Sequence, residues 1–118
     1  KEQDLAWISS AANGLPALDT LEAKLYRERF HASRLPLVPF KSYTGEFASS
    51  GLLRLALGIL CTQAGWLPGL PADAAAGWLP SDLNLPQHTQ PLDGNRFLHI
   101  GLGIGGAAVA MVVRVEKQ

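Results

Sequence analysis

The sequence is short of charge and holds only one cysteine. Charged residues make up 17% of its 118 residues, below the roughly 25% of an average soluble domain. Ten basic and ten acidic side chains cancel, so the chain lacks the basic excess with which nucleic-acid-binding proteins attract phosphates. A single cysteine excludes a disulfide within the chain and favours a reducing compartment, which predicts a cytoplasmic location.

Long hydrophobic runs and metal-binding motifs are also missing. No stretch reaches the roughly 18 apolar residues of a membrane-spanning helix, so no contact with a membrane is expected. His31, His88 and His99 show no metal-ligand spacing, and neither a metal nor another cofactor is expected. Apolar residues nevertheless make up 47% of the chain. This share, beside so little charge, predicts apolar surface that another subunit or another part of a larger protein covers.

The pattern of apolar residues predicts an α/β piece with the element order β-α-β-α-β-β. A segment rich in proline and glycine, 66–94, is expected to be a surface connection rather than a second domain. A glycine-rich turn at 101–106 joins the last two strands, which predicts an antiparallel hairpin. The predicted elements are a strand at 5–10, a helix starting near Pro16 and reaching Phe30, a strand at 35–40, a helix at 50–64, and strands at 96–100 and 107–115.

The two predicted helices differ in pattern. In the first, Leu18, Leu21 and Leu25 recur at helical spacing with charged residues between them, so these leucines are expected to face the core. The second, 50–64, is apolar nearly all round, which predicts an interior helix. Gly65 is placed to cap its carboxyl end.

A charged loop leads into this second helix. Lys41 and Glu46 stand close together there, and a structural ion pair is favoured over a catalytic role. Cys61 lies within the helix with no base near it in sequence, so an inert thiol is favoured over a nucleophile. The spacing of the residues by itself shows no catalytic constellation.

The glycine-rich turn formally matches the dinucleotide-binding pattern G-x-G-x-x-G. That pattern needs a helix after it and an acidic residue about 20 positions further on. Here a strand is predicted next and the chain soon ends, so a tight hairpin turn is favoured. The glycines of the pattern are Gly101, Gly103, Gly105 and Gly106.

Three segments, in the same order, resemble the C-terminal half of the β-ketoacyl synthases, which have a thiolase-like fold. Lys41-Ser42-Tyr43-Thr44-Gly45-Glu46 and the small residues after it resemble the family's Lys-x-x-x-Gly-His and small-residue run. The segment 8–23 aligns with Ala-His-Gly-Thr-x-Thr-x-x-x-Asp-x-x-Glu, and 101–106 falls on the glycine hairpin Ser-Phe-Gly-Phe-Gly-Gly-x-Asn.

This resemblance covers most of the chain and leaves only 66–94 without specific matches. It implies that residues 1–118 are the C-terminal half of a ketosynthase-like protein, with a mixed sheet, a buried central helix and a C-terminal glycine-turn hairpin. An N-terminal half would complete the fold and would carry the family's nucleophilic cysteine. Cys61 does not align with that cysteine.

The departures from the family pattern bear on function. The two family histidines, which donate hydrogen bonds to the thioester or malonyl carbonyl during decarboxylative condensation, fall on Ala11 and Glu46. The side chain of alanine donates nothing, and a carboxylate repels the developing enolate oxygen. The hairpin phenylalanines fall on Leu102 and Ile104, which are expected to line the acyl tunnel or its gate.

Lys41 is retained from the family pattern. With a shortening of one residue after Glu46, the family's acidic position on the buried helix falls on Arg54. The resemblance therefore implies a structural ion network of Lys41, Glu46 and Arg54 in place of a catalytic site.

A ketosynthase-like chain without both histidines resembles a chain-length factor, the catalytically silent partner of an active ketosynthase. The resemblance implies a subunit that pairs with an active β-ketoacyl synthase in polyketide or fatty-acid-type biosynthesis, including aryl-polyene pathways. It would shape the tunnel for the growing acyl chain and meet the acyl carrier protein only indirectly. Two alternatives stay open: the C-terminal half of an active β-ketoacyl-[acyl carrier protein] synthase with an atypical site, and a degenerate domain kept for structure or docking.

Overall fold

A mixed four-stranded sheet with a helix on each face organises the chain. The computed structural model describes residues 4–30, 34–46, 49–70, 82–102 and 107–117. The elements in chain order are β1 (Trp7–Ser9), α1 (Pro16–Phe30), β2 (Leu37–Val38), α2 (Lys41–Thr44), α3 (Ser50–Ala64), β3 (Trp66–Leu67), β4 (Gln90–Pro91), β5 (Arg96–Leu102) and β6 (Ala108–Arg114).

The sheet has the strand order β2-β1-β5-β6. Strand β1 runs parallel to both β2 and β5, whereas β6 runs antiparallel to β5. Successive side chains of β1 point to opposite faces: the Trp7 indole donates a hydrogen bond to Thr62 of α3, and Ile8 packs with Tyr26 of α1. The predicted order β-α-β-α-β-β and the mixed sheet are therefore confirmed, with the one-turn helix α2 and the two-residue strands β3 and β4 added.

The sequence predicted a surface connection over 66–94, but its described parts, 66–70 and 82–94, also contribute to the core; residues 71–81 lie outside the described residues. Strands β3 and β4 pair antiparallel within it. Leu67 and Leu92 are buried in the core cluster of Trp7 and Phe97. The many prolines hide this contribution because they interrupt every periodic pattern.

Helix α3 has the predicted bounds and cap, but it is not buried on all sides. Gly65 is in the left-handed conformation, with φ 76° and ψ 28°, and donates its N–H to the Cys61 carbonyl. The buried residues are spaced four apart, whereas Leu52 is 73% exposed and Leu60 is 60% exposed. The prediction of an interior helix is thus wrong for this chain on its own, because among the described residues one layer, the sheet, covers the helix. The buried positions are Ser50, Arg54, Gly58 and Thr62.

Helix α1 also buries a different face from the one that the sequence predicted. Its buried residues are Glu22, Ala23 and Tyr26, while the leucines expected in the core are exposed. Tyr26 fills the cluster against Ile8, and this places the leucine stripe on the solvent side. The exposed leucines are Leu15, Leu18, Leu21 and Leu25.

The predicted hairpin of β5 and β6 is present. Its ladder runs from the pair Arg96 and Arg114 to the pair Leu102 and Ala108. Gly101 and Leu102, expected in the turn, belong to β5. Gly103, Ile104, Gly105 and Gly106 lie outside the described residues, so their expected roles stay predictions.

Candidate functional site

The carboxyl ends of β1, β2 and β5 meet at one edge of the sheet because these strands are parallel. In open α/β sheets this edge is the usual place of a functional site. The chain passes it twice, after β1 at 10–14 and after β2 at 39–46. Three positions singled out in the sequence, Ala11, Lys41 and Glu46, therefore lie along the same edge.

The Glu46 carboxylate joins the segments at this edge. Its Oε2 accepts a hydrogen bond of 2.6 Å from Lys41 Nζ and one of 3.0 Å from Asn13 Nδ2. Its Oε1 accepts a hydrogen bond of 3.0 Å from Ser50 Oγ. One side chain thus ties together the loop after β1, helix α2 and the start of α3.

Local backbone geometry makes this convergence possible. Lys41 begins α2, and Gly45 after the helix adopts φ 76°, a conformation that favours glycine. The chain turns there, and Glu46 reaches back to Lys41 five positions earlier. The Lys41 side chain is 6% exposed and that of Glu46 is 49% exposed. The lysine side chain of the pair is therefore buried, whereas the carboxylate is in contact with solvent.

The charge state of Glu46 follows from these contacts. The hydrogen bond from Lys41, and then that from Asn13, lower the pKa of Glu46 to about 2. The group is therefore a carboxylate at any physiological pH. It cannot donate a hydrogen bond, and it carries negative charge where the resemblance would place an imidazole.

Ala11 offers no side-chain hydrogen-bond donor either. The residue is buried, and its backbone N–H donates a hydrogen bond of 2.9 Å to Glu22 Oε1. Its side chain is a methyl group. Neither of the two positions aligned with family histidines therefore presents a side-chain donor at this edge.

Arg54 makes its hydrogen bonds to other groups than Lys41 and Glu46, although the charge of Glu46 also acts on its pKa. Its guanidinium donates hydrogen bonds to the Ser10 carbonyl at 3.0 Å and the Ile100 carbonyl at 2.7 Å, and to Ser9 Oγ at 3.3 Å. The expected network of Lys41, Glu46 and Arg54 is thus divided: Glu46 bonds to Lys41, and Arg54 holds the ends of β1 and β5. Burial lowers the pKa of Arg54, while the charge of Glu22 opposes that change.

A buried cluster of polar groups surrounds Glu22 of α1. Glu22 Oε1 accepts hydrogen bonds from Ser10 Oγ at 3.1 Å, from the Ala11 N–H and from the Tyr26 hydroxyl. Burial, together with the charge of Glu22, raises the pKa of Tyr26. Among the described residues, Glu22 Oε2 and Arg54 Nε have no hydrogen-bond partner. The spacing of Glu22 and Tyr26, one helical turn apart, is the signal that could have shown a polar inner face.

His99 is another buried polar residue near this edge. Its Nδ1 lies 3.2 Å from Ser9 Oγ, the oxygen to which Arg54 also donates, and the imidazole tautomer decides which of the two groups donates. Burial, and then the charge of Arg54, lower the pKa of His99 to about 4. The ring is therefore neutral at physiological pH.

The remaining candidates are not part of this cluster. Cys61 is half-buried and burial raises the pKa of its thiol, which disfavours the reactive thiolate. Leu102 ends β5 with its side chain partly exposed. Among the residues that the structure covers, no three His, Cys, Asp or Glu side chains are grouped to hold a metal ion.

A small cleft lies beside the edge, between α1, the ends of β1 and β2, and the segment 83–85. Its volume is about 40 Å³, which admits a few water molecules and no acyl chain. Most of its wall is apolar, and the residues that line it include Leu37, Leu83, Leu85, Glu22 and Tyr26. This cleft is therefore too small to hold a substrate.

Comparisons with known proteins give no family assignment. The chain matches no protein-family model and no curated protein. None of the described helices is long and apolar enough to cross a membrane. The candidate site consequently rests on its own geometry.

Proposed function

We propose that this chain is the C-terminal half of a non-catalytic, chain-length-factor-like subunit of the thiolase-like fold. It pairs with an active β-ketoacyl synthase in polyketide or fatty-acid-type biosynthesis and helps to shape the acyl tunnel. The observation that carries the proposal is the state of Glu46. Where condensation needs a hydrogen-bond donor, this chain has a carboxylate already bonded to Lys41, Asn13 and Ser50.

The electrostatics of this edge oppose condensation chemistry. Decarboxylative condensation develops negative charge on a carbonyl oxygen, and preorganised donors stabilise that charge. Glu46, with a pKa of about 2, repels it. At the other position, the Ala11 N–H is bonded to Glu22. The chemistry therefore belongs on a partner subunit, and this chain contributes shape.

The outer face of α3 supports the need for a covering layer. Leu52, Leu53 and Leu60 are exposed along it. Burying a leucine side chain contributes roughly 1.5–3 kcal/mol, so a layer that covers these residues gains several kilocalories per mole. In the proposed assembly the missing N-terminal half is that layer.

Purification from the native host tests the pairing. The protein that contains this chain is purified at near-physiological salt, and bound proteins are identified by mass spectrometry. The proposal predicts a stoichiometric ketosynthase that has both histidines and the cysteine. Absence of a ketosynthase from the purified complex would favour the degenerate domain instead.

A further inference from the structure

Strand β6 is an edge strand without the usual protection. It pairs with β5 along one side, and within the described part of the chain its other side has no ladder partner. Its first six residues are apolar, and no proline or charge interrupts them. Side chains are exposed on both of its faces, with Val112 64% exposed and Val109 55% exposed.

The opposite edge of the same sheet shows how an edge is normally protected. Strand β2 has only two residues, flanked by Pro36 and Pro39. The N–H of Leu37 donates a hydrogen bond of 2.8 Å to the Asn84 carbonyl, so a loop covers that edge. Short length, proline and a covering loop are known devices against pairing with another chain. Within the described residues, β6 has none of them.

The sequence of β6 suits antiparallel pairing with itself. With Met111 facing its own copy, all seven residues find partners: Val109 faces Val113, and Ala110 faces Val112. Met111 and Val113 lie on the α3 side of the sheet, because they are opposite His99 and Phe97 of β5. The pairing therefore keeps residues of one face together. Arg114 faces Ala108, so no like charges oppose each other.

We propose that β6 is a homotypic interface, in which two copies of this chain pair their β6 strands antiparallel around Met111. The two four-stranded sheets then form one continuous sheet, with both α3 helices on the same side. The interface is isologous, as expected for a two-fold dimer. It is reached edge-on and leaves the outer face of α3 free, so it does not depend on the function proposed above.

The expected affinity is moderate. One strand pair buries less than the roughly 1,200 Å² of a standard stable interface, and main-chain hydrogen bonds supply much of the attraction in strand addition. We expect a dissociation constant on the order of 10 µM. Dimer formation should therefore depend on concentration across the micromolar range.

A charge-swap experiment at Met111 tests the interface and its register. Sedimentation velocity of the 118-residue chain should show a monomer–dimer equilibrium. Met111→Lys and Met111→Glu, each alone, should raise the dissociation constant at least tenfold because like charges face each other. An equimolar mixture of the two variants should restore the dimer, since lysine then faces glutamate.

Two controls keep the test decisive. Leu60→Lys, on the exposed face of α3, should leave the dimer intact. Concentration-dependent hydrogen exchange of the unmodified chain should show added protection of alternate β6 amides, which decides the matter if a Met111 variant fails to fold. A chain that stays monomeric up to several hundred micromolar would overturn the proposal. So would a dimer that Leu60→Lys dissociates and Met111→Lys leaves unchanged, or a mixture that remains monomeric.

Discussion

At the scale of single residues, the candidate site is held by buried or half-buried polar groups. Ser9 Oγ lies between Arg54 and His99, and Glu46 holds Lys41. The sequence indicated the Lys41–Glu46 contact, since the two stand five positions apart around a glycine. It did not indicate the partners of Arg54, because backbone carbonyls of β1 and β5 become neighbours only when the sheet forms.

The buried imidazole of His99 predicts a loss of stability in mild acid. Its pKa falls from 6.5 to about 4 on folding, so the unfolded state binds a proton first as the pH decreases. The free energy of unfolding keeps its full value above pH 6.5, and the part linked to the neutral imidazole is lost as the pH falls towards 4. Urea unfolding at pH 7.5 and pH 4.5 should show a decrease on the order of 2 kcal/mol. His99→Asn should remove most of this decrease; an equal decrease in the variant would contradict the assignment.

The contacts of Glu46 predict that replacing it with histidine lowers the stability of the fold. Glu46→His removes the carboxylate above the buried Lys41 and should lower the free energy of unfolding by about 1 kcal/mol at pH 7. The matched control is Glu28→His, which breaks an exposed pair with Lys24 and should change stability by less than about 0.5 kcal/mol. Equal effects of the two changes in urea unfolding would argue against a structural role for Glu46.

Acid titration separates Glu46 from His99. The folded pKa of Glu46 is about 2, below the ordinary value of 4.5, so its contribution is complete above pH 4.5 and is lost as the pH falls towards 2. The carboxyl signal of Glu46, followed by NMR, should titrate well below those of exposed carboxylates. A midpoint near 4.5 would contradict the Lys41 contact.

At the scale of elements, the helices show where sequence patterns succeed and fail. The bounds and glycine cap of α3 could be predicted, since they depend on local chemistry. The buried faces of α1 and α3 could not, because inward polar residues such as Glu22 and Arg54 find partners only in the folded sheet. In both helices the exposed leucines then lie on the opposite side.

Two glycines of α3 give a matched prediction for its packing. A Cβ at Gly58 would lie 2.7 Å from Phe97 Cζ, whereas a Cβ at Gly51 meets nothing within 4 Å. Gly58→Ala should therefore destabilise the chain by about 1–2 kcal/mol, since overpacking outweighs the gain in helix propensity. Gly51→Ala should stabilise it by up to about 1 kcal/mol. Thermal unfolding of both variants tests the close contact between Gly58 and Phe97. A higher unfolding temperature for Gly58→Ala would contradict that contact.

At the scale of the whole molecule, both helices and the β6 edge present apolar surface. The low charge and high apolar share predicted such surface. The order of elements along the chain could be derived from the apolar pattern, whereas the strand order β2-β1-β5-β6 could not. The expected ketosynthase relationship remains a proposal that rests on the residue pattern and on the state of Glu46.

Acyl loading of the reconstituted complex tests the central claim most directly. The complete protein that contains this chain is combined with its ketosynthase partner, exposed to acyl donor, and measured by intact-protein mass spectrometry. The account predicts an acyl adduct on the partner alone, abolished when the partner's nucleophilic cysteine is changed to alanine. An adduct on the protein that contains Ala11 and Glu46, persisting after that change, would contradict it and favour an active synthase with an atypical site.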